Sequence, residues 1–320
     1  HPLEPDVRQK LSMFCNVPVE AVIEARDVDH TIYELPLMLQ NEGLDRIVCE
    51  RLGLDAPGAN MADWEKFVRR ITHPKKVAKI AIVGKYIDLQ DAYKSIYESL
   101  THAGASHDCG IHMMKVDAED IEAEGAEKFL RNAAGILVPG GFGDRGIEGK
   151  ILAVQYAREH RVPYFGLCLG MQVATVEFAR NACGLAGANS TEFDKQTPHP
   201  VISLLEEQRG VTEMGASMRL GSWPTRLAPD TKARTAYGVD EVFERHRHRY
   251  EFNLDYREQM EARGLVISGT SPEGNLVEVV ELRDHPWFVA CQYHPEFQSK
   301  PNSPHPLFKA FIAACLANLA

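Results

Sequence analysis

No stretch of the chain stays apolar for the ~18 residues a bilayer crossing needs. The most apolar segment, 307–320, carries Lys309 and reads as a terminal helix. Pro2, Glu4, Pro5 and Asp6 leave no apolar h-region at the start, so no secretory leader is expected. The seven cysteines are odd in number and never fall as Cys-x-x-Cys. That spacing points away from a disulfide framework or a zinc site, and towards a cytoplasmic setting with mostly buried thiols. Positive charge is in short supply: 35 Lys plus Arg stand against 45 Asp plus Glu, a net −10 with His neutral. Global attraction for nucleic acid or an anionic membrane is thereby excluded. Repeats and low-complexity tracts are lacking too, and 44% hydrophobic with 25% charged residues excludes whole-chain disorder. A length of 320 residues fits about two domains.

What is present changes character near residue 75. Segments 4–14, 32–41, 44–52 and 61–71 have helical spacing, with no strong run of strands. Thr72-His73-Pro74-Lys75-Lys76 reads as a polar linker, because proline and its predecessor disfavour helix. Beyond it, strands at 77–83, 111–116, 135–138 and 163–167 alternate with helices at 91–103, 119–132, 147–160 and 169–180. Such alternation implies right-handed crossovers and a parallel sheet, with ligands at the carboxyl ends of the strands. After 189 the pattern turns strand-rich, at 201–205, 217–220, 265–269, 276–282 and 288–293, before a last helix from 306. The expected fold is α/β: a mostly parallel open sheet flanked by helices, with an antiparallel extension, preceded by a short helical segment. The expected domains are 1–75 and 76–320.

The sharpest signal lies where the fourth strand meets the fourth helix, at Gly166-Leu167-Cys168-Leu169-Gly170. A strand-to-helix elbow needs small residues around its nucleophile, which then sits at a helix N-terminus where thiolate is favoured. The Leu169 N–H is placed to stabilise an oxyanion. A buried, inert cysteine between chance glycines is the plain alternative. A thiolate needs a base and a group to orient it. Tyr293-His294-Pro295-Glu296 supplies both if the segment is extended, since residues two apart share a side. The loop Pro139-Gly140-Gly141-Phe142-Gly143-Asp144-Arg145-Gly146 borders Cys168 if the third and fourth strands are neighbours, and gives a second oxyanion donor. Gly141, Gly143 and Gly146 also spell a dinucleotide fingerprint. The next strand, 163–168, lacks the acidic residue such a site requires, so NAD binding is not expected. A P-loop is absent.

These residues carry a resemblance. Pro139-Gly140-Gly141-Phe142-Gly143, Gly166-Leu167-Cys168-Leu169-Gly170-Met171-Gln172 and His294-Pro295-Glu296 resemble the class I, triad-type glutamine amidotransferase domain, whose sheet is flavodoxin-like. Gly84-Lys85-Tyr86, Asp91-Ala92-Tyr93-Lys94-Ser95, Asn189-Ser190-Thr191-Glu192-Phe193, Met218-Arg219-Leu220-Gly221, the run from Glu244 to Glu251 and His285-Pro286-Trp287-Phe288 resemble the CTP synthase family. The resemblance covers nearly all of 76–320. It implies ATP-dependent amination of UTP to CTP with ammonia from L-glutamine. Cys168 would form a glutamyl thioester, His294 would act as acid and base, and Glu296 would orient it. Gly141 and Leu169 would hold the oxyanion. Gly170, Met171, Gln172, Glu192 and Arg249 would hold glutamine, with Glu192 on the α-ammonium and Arg249 on the α-carboxylate.

Residues 1–75 resemble only the end of the family's amidoligase domain, where Lys10 and Val28 stand at nucleotide-binding positions. The P-loop part that takes ATP, Mg²⁺ and UTP is missing, so the chain is expected to be a fragment. Glutamine hydrolysis itself would need no cofactor, and no metal site is expected here. GTP as effector and a tetrameric homo-oligomer are implied for the whole enzyme, with neither nucleic acid nor membrane as partner. Two other readings compete: an inactive regulatory or binding module, and a related γ-glutamyl thiol hydrolase. Arg245 to Arg249 could also be no more than a solvated basic face.

Overall fold

The structure is a computed structural model, and it describes residues 3–87, 89–204 and 218–319. Pro2, Leu205, Ser217 and Ala320, which enter the expectations above, lie outside the described residues. The amino-terminal part is helical: α1 (Pro5–Cys15), α2 (Leu35–Asn41), α3 (Leu44–Leu52) and α4 (Ala62–Thr72). Strands and helices then alternate through β1 (Lys76–Gly84), α5 (Lys94–Ser106), β2 (Cys109–Asp117), α6 (Ala118–Glu124), α7 (Ala126–Leu130), β3 (Gly135–Val138), α8 (Ile147–Glu159), β4 (Tyr164–Leu167) and α9 (Leu169–Asn181). The remainder comprises β5 (Asn189–Ser190), β6 (Pro200–Leu204), β7 (Arg219–Leu227), α10 (Lys232–Tyr237), β8 (Glu241–His248), β9 (Tyr250–Phe252), α11 (Arg257–Glu261), β10 (Leu265–Thr270), β11 (Val277–Leu282), β12 (Phe288–Cys291) and α12 (Pro306–Ala317).

Nine strands form one sheet in the order β2-β1-β3-β4-β12-β11-β10-β7-β8. The five from β2 to β12 run parallel, and the last four extend the sheet antiparallel. A separate small sheet has the order β5-β6-β9. The continuous apolar run of β1 is explained by burial on both faces. Ala81 and Val83 face the core under α6, α8 and α9, whereas Ala78, Ile80 and Ile82 face α5 and α12. In α12, Leu307, Phe308, Phe311 and Ile312 are fully buried, with the Phe308 and Phe311 rings 5.1 and 5.6 Å from that of Phe165. Each such side chain contributes roughly 1.5–3 kcal/mol.

The segment before residue 76 packs on α5. Tyr33 meets Phe67 edge-on at 5.1 Å, donates to Glu98 Oε2 at 2.6 Å, and its carbonyl accepts from Trp64 Nε1 at 2.7 Å.

Three expected elements differ, the first being the strand expected at 217–220, which among the described residues starts at Arg219 and runs on to Leu227. The helix expected at 119–132 is broken at Gly125, whose φ of +85° no helix accommodates. The strand expected at 288–293 ends at Cys291. Strand β8 was not legible as one, because its buried face is polar: Glu244, His246 and His248 point inward while Arg245 and Arg247 are exposed. A solvated basic face therefore describes only half of that run.

Candidate active site

The carboxyl ends of β3, β4 and β12 lie side by side, and each feeds one part of the site. After β4 the chain turns through Cys168, which holds φ 51° and ψ −101° and caps α9. A non-glycine residue rarely adopts such a conformation, and it persists only where its surroundings fix it. Gly166 and Gly170 permit the turn: a β-carbon on Gly166 would sit 2.8 Å from the Gly170 backbone, and one on Gly170 would sit 2.2 Å from the Val138 carbonyl. Helix α9 begins at Leu169, so its first amides have no carbonyl a turn earlier and point at the elbow.

After β12 the chain carries His294 to Cys168. The imidazole stands beside the thiol, both lining the same cavity, and its Nδ1 lies 2.8 Å from Glu296 Oε1 on the other side. The pairing arises differently from the expectation. Pro295–Phe297 is a tight 3₁₀ turn, not an extended segment, and Glu296 reaches back. Burial by itself pushes His294 down, but the neighbouring Cys168 and Glu296 outweigh it and raise the imidazole from 6.5 to about 10. The Ser99 hydroxyl of α5 lies 3.3 Å from the Glu296 carbonyl and the Phe297 ring stacks on His294, so the turn is held from two sides.

The loop after β3 is the third part. A β-carbon on Gly140 would lie 2.9 Å from His294 Cε1 and 3.5 Å from Cys168 Cβ, so backbone passes where no side chain fits. Lys85 Nζ, at the end of β1, donates to the Phe142 carbonyl, and Arg145 Nη2 donates to the Lys85 carbonyl at 2.8 Å. The Gly143 N–H donates to Glu192 Oε1 at 3.1 Å. Burial raises the Glu192 carboxyl, against that bond and the pull of Lys85 and Arg249.

A pocket of about 280 Å³ opens above the thiol, lined by Gly141, Phe142, Cys168, Gln172, Glu192, Met218, His248, Arg249 and Tyr250. A second cavity of about 400 Å³ also reaches Cys168, past Tyr86, Asp91, Arg247, His294 and Phe297.

The structure thus gathers Cys168, His294, Glu296, Gly141, Gln172, Glu192 and Arg249 around one cavity system, with Leu169, Gly170 and Met171 in the first turn of α9. Lys10 and Val28 line neither cavity. Lys10 is exposed on α1 and ion-paired with Asp6 at 3.6 Å, and Val28 is half-buried in an irregular stretch. Sequence reasoning missed Gln292, fully buried with Nε2 3.7 Å from Cys168 Sγ, and His248 in the pocket wall. The signal for Gln292 was there, since it precedes His294 by two positions on the chain leaving β12. Among the described residues no cluster of His, Cys, Asp or Glu could hold a metal ion. Nor is any helix among them long and apolar enough to cross a membrane.

Residues 88–314 match the family model for glutamine amidotransferase class-I. With a thiol at a strained elbow, an imidazole against it and a carboxylate behind, that match places the chain in the class-I glutamine amidotransferases. Residues 1–54 match the model for the CTP synthase N-terminus. CTP synthases of Moorella thermoacetica and Carboxydothermus hydrogenoformans are each 56% identical over 315 residues, 98% of this chain. The solved Trypanosoma brucei CTPS glutaminase domain with bound acivicin is 39% identical, with a TM-score of 0.71, over 75% of this chain and 94% of that one. The chain belongs to the CTP synthase family, and it spans 58–59% of the length of the two bacterial relatives.

Proposed function

We propose that this chain hydrolyses L-glutamine by thiol catalysis, and that in the whole protein the ammonia aminates UTP to CTP in an ATP- and Mg²⁺-dependent step. The observation that carries the reading is Cys168 in the pocket wall with His294 beside it in the adjoining cavity, an imidazole that Glu296 holds at 2.8 Å. Glutamine would enter with its α-ammonium towards Glu192 and its α-carboxylate towards Arg249. Its amide carbonyl carbon then meets the sulfur. The C–S bond forms while the oxyanion is held by the N–H groups of Leu169 and Gly141. His294 gives its proton to the departing nitrogen, the C–N bond breaks, and ammonia leaves a glutamyl thioester. His294 next takes a proton from water, whose oxygen attacks the same carbon. The C–S bond breaks and glutamate departs. Glu296 fixes the imidazole so that Nε2 faces the sulfur.

The amination half-reaction belongs to sequence outside this chain. Lys10 and Val28, one exposed amine and one half-buried apolar group, suit peripheral contact with a nucleotide and do not form a site alone. A GTP effector, a tetrameric whole protein and a cytoplasmic setting go with the same reading. The last is supported by seven unpaired cysteines, five of them buried.

The test is peptide mapping after incubation with a diazoketone analogue of glutamine. One adduct on Cys168, blocked by excess glutamine, is expected. A folded chain that gains none would overturn the reading.

A further inference from the structure

We infer that Gln292 is a fourth functional side chain of this site: its amide N–H donates to the Cys168 sulfur and holds it in the thiolate form for attack. The inference rests on the glutaminase reading for its purpose, though the contact does not. Gln292 is fully buried, and its backbone N–H is fixed to the Glu278 carbonyl at 2.8 Å. Its Nε2 lies 3.7 Å from Cys168 Sγ, within N–H···S range, and its Oε1 lies 3.3 Å from Gln172 Nε2.

The amide's orientation is determined by its surroundings. Gln172 Nε2 also donates to the Tyr250 carbonyl at 3.1 Å, so that end of Gln172 must be its nitrogen. The group facing it on Gln292 must then be oxygen, and the NH₂ is left to face the sulfur. A flipped Gln292 would set NH₂ against NH₂ at one end and oxygen against a thiolate at the other. The chain Tyr250–Gln172–Gln292–Cys168 therefore links the pocket wall to the nucleophile.

A donor to sulfur favours the charged form of a thiol. It acts twice in the reaction. Before attack it raises the thiolate fraction, and when the thioester breaks it stabilises the sulfur that leaves. The same bond makes the thiolate somewhat less nucleophilic, by about 0.4–0.5 log units per unit of pKa. Losing the donor should thus slow the thiol below its midpoint pH and leave it equal or faster above. A side chain that merely fills space gives no such crossing.

The test is the pH dependence of Cys168 alkylation by iodoacetamide, followed by peptide mapping because Cys15 and Cys49 are also accessible. The wild-type chain, Gln292→Leu and Gln292→Met are compared. The Met variant keeps the length of the side chain, removes the donor and adds no charge beside the sulfur, so it serves if the Leu variant does not fold. The midpoint is expected to rise by about one unit in each folded variant, with the profiles crossing. An unchanged midpoint overturns the inference. A measurement on the wild type needs no folded variant: the Gln292 side-chain amide resonances should move with the Cys168 titration and stay still in Cys168→Ala. Resonances that stay still in the wild type also overturn it. Iodoacetamide needs no glutamine pocket, so a shifted midpoint in a chain that hydrolyses no glutamine would sink the glutaminase reading and leave this inference standing.

Discussion

The Cys168 amide donates to the Cys291 carbonyl at 2.7 Å, which ties the nucleophile's backbone to the last residue of β12. Three residues further on stands His294. Strands β4 and β12 are parallel neighbours in register, Leu167 opposite Cys291, so the elbow and the histidine turn leave the sheet at one level. The spacing of thiol and imidazole is therefore set by sheet pairing. Substitution of the Cys168 side chain should therefore alter chemistry before it alters the fold.

Cys168→Ala should abolish glutamine hydrolysis while the chain stays folded. Cys168→Gly should be equally inactive and more stable than the Ala variant by about 1 kcal/mol. At φ 51° and ψ −101° alanine carries strain that glycine does not, and this outweighs glycine's extra unfolded-state entropy. Urea unfolding of the two variants decides it. An Ala variant as stable as the Gly variant would mean that the elbow relaxes once the sulfur is gone.

Gly140→Ala places a methyl 2.9 Å from His294 Cε1, and the ring must move. Misplacing a catalytic group by about 1 Å costs on the order of a hundredfold in rate. The expected outcome is a kcat lower by about that factor with an unchanged far-ultraviolet spectrum. Gly141→Ala meets only Leu169 Cδ2, at 3.3 Å, and should cost less. Equal rates for the two variants would contradict the close approach.

The parallel half of the fold was legible because both faces of its strands are apolar and its helices sit between them. Gly135–Val138 was read residue for residue. The elbow was legible because Gly166 and Gly170 flank a cysteine at a strand-to-helix junction. The antiparallel edge was harder to read. In β8 the inward residues are Glu244, His246 and His248, so alternation is present with its polarity hidden. The helix expected through Gly125 failed for a local reason, a backbone angle that sequence spacing does not reveal. Gln292 escaped notice because its place two residues before His294 marks it as near the site, whereas its partner, the Cys168 sulfur, is revealed only by the fold.

The pair His246 and His248 gives a pH prediction. Their rings lie 2.9 Å apart, nitrogen to nitrogen, among Arg219 of β7, Glu251 of β9, Glu278 of β11 and His294. Burial first, then Arg219, pushes His246 down to about 2 and His248 to about 3. Both stay neutral in the fold and take protons once unfolded. Stability due to them is complete above pH ~6.5 and falls as pH drops towards 3. Burial raises the Glu251 and Glu278 carboxyls, which acts in the opposite sense above the ordinary carboxylate range. His248→Asn should therefore flatten the acid limb of the unfolding free energy between pH 6 and 4. An unchanged limb would mean that the histidines titrate normally in the fold.

Glu296 gives the prediction of opposite sign. His294 is raised to about 10, above its ordinary 6.5. A raised histidine contributes stability that is fully present below pH ~6.5 and is lost as pH climbs through about 10. In Glu296→Gln the imidazolium keeps only its attraction to Cys168, so its titration moves down. The difference in unfolding free energy between wild type and Glu296→Gln should be level up to the lowered His294 midpoint of the variant and then shrink towards pH 10. Groups ionising in this range that do not interact with His294 or Glu296 cancel in that difference. A gap that stays constant across the range would mean that Glu296 holds His294 by packing and not by charge. Glutamine turnover in the same variant should then survive, whereas the charged pair requires it to fall.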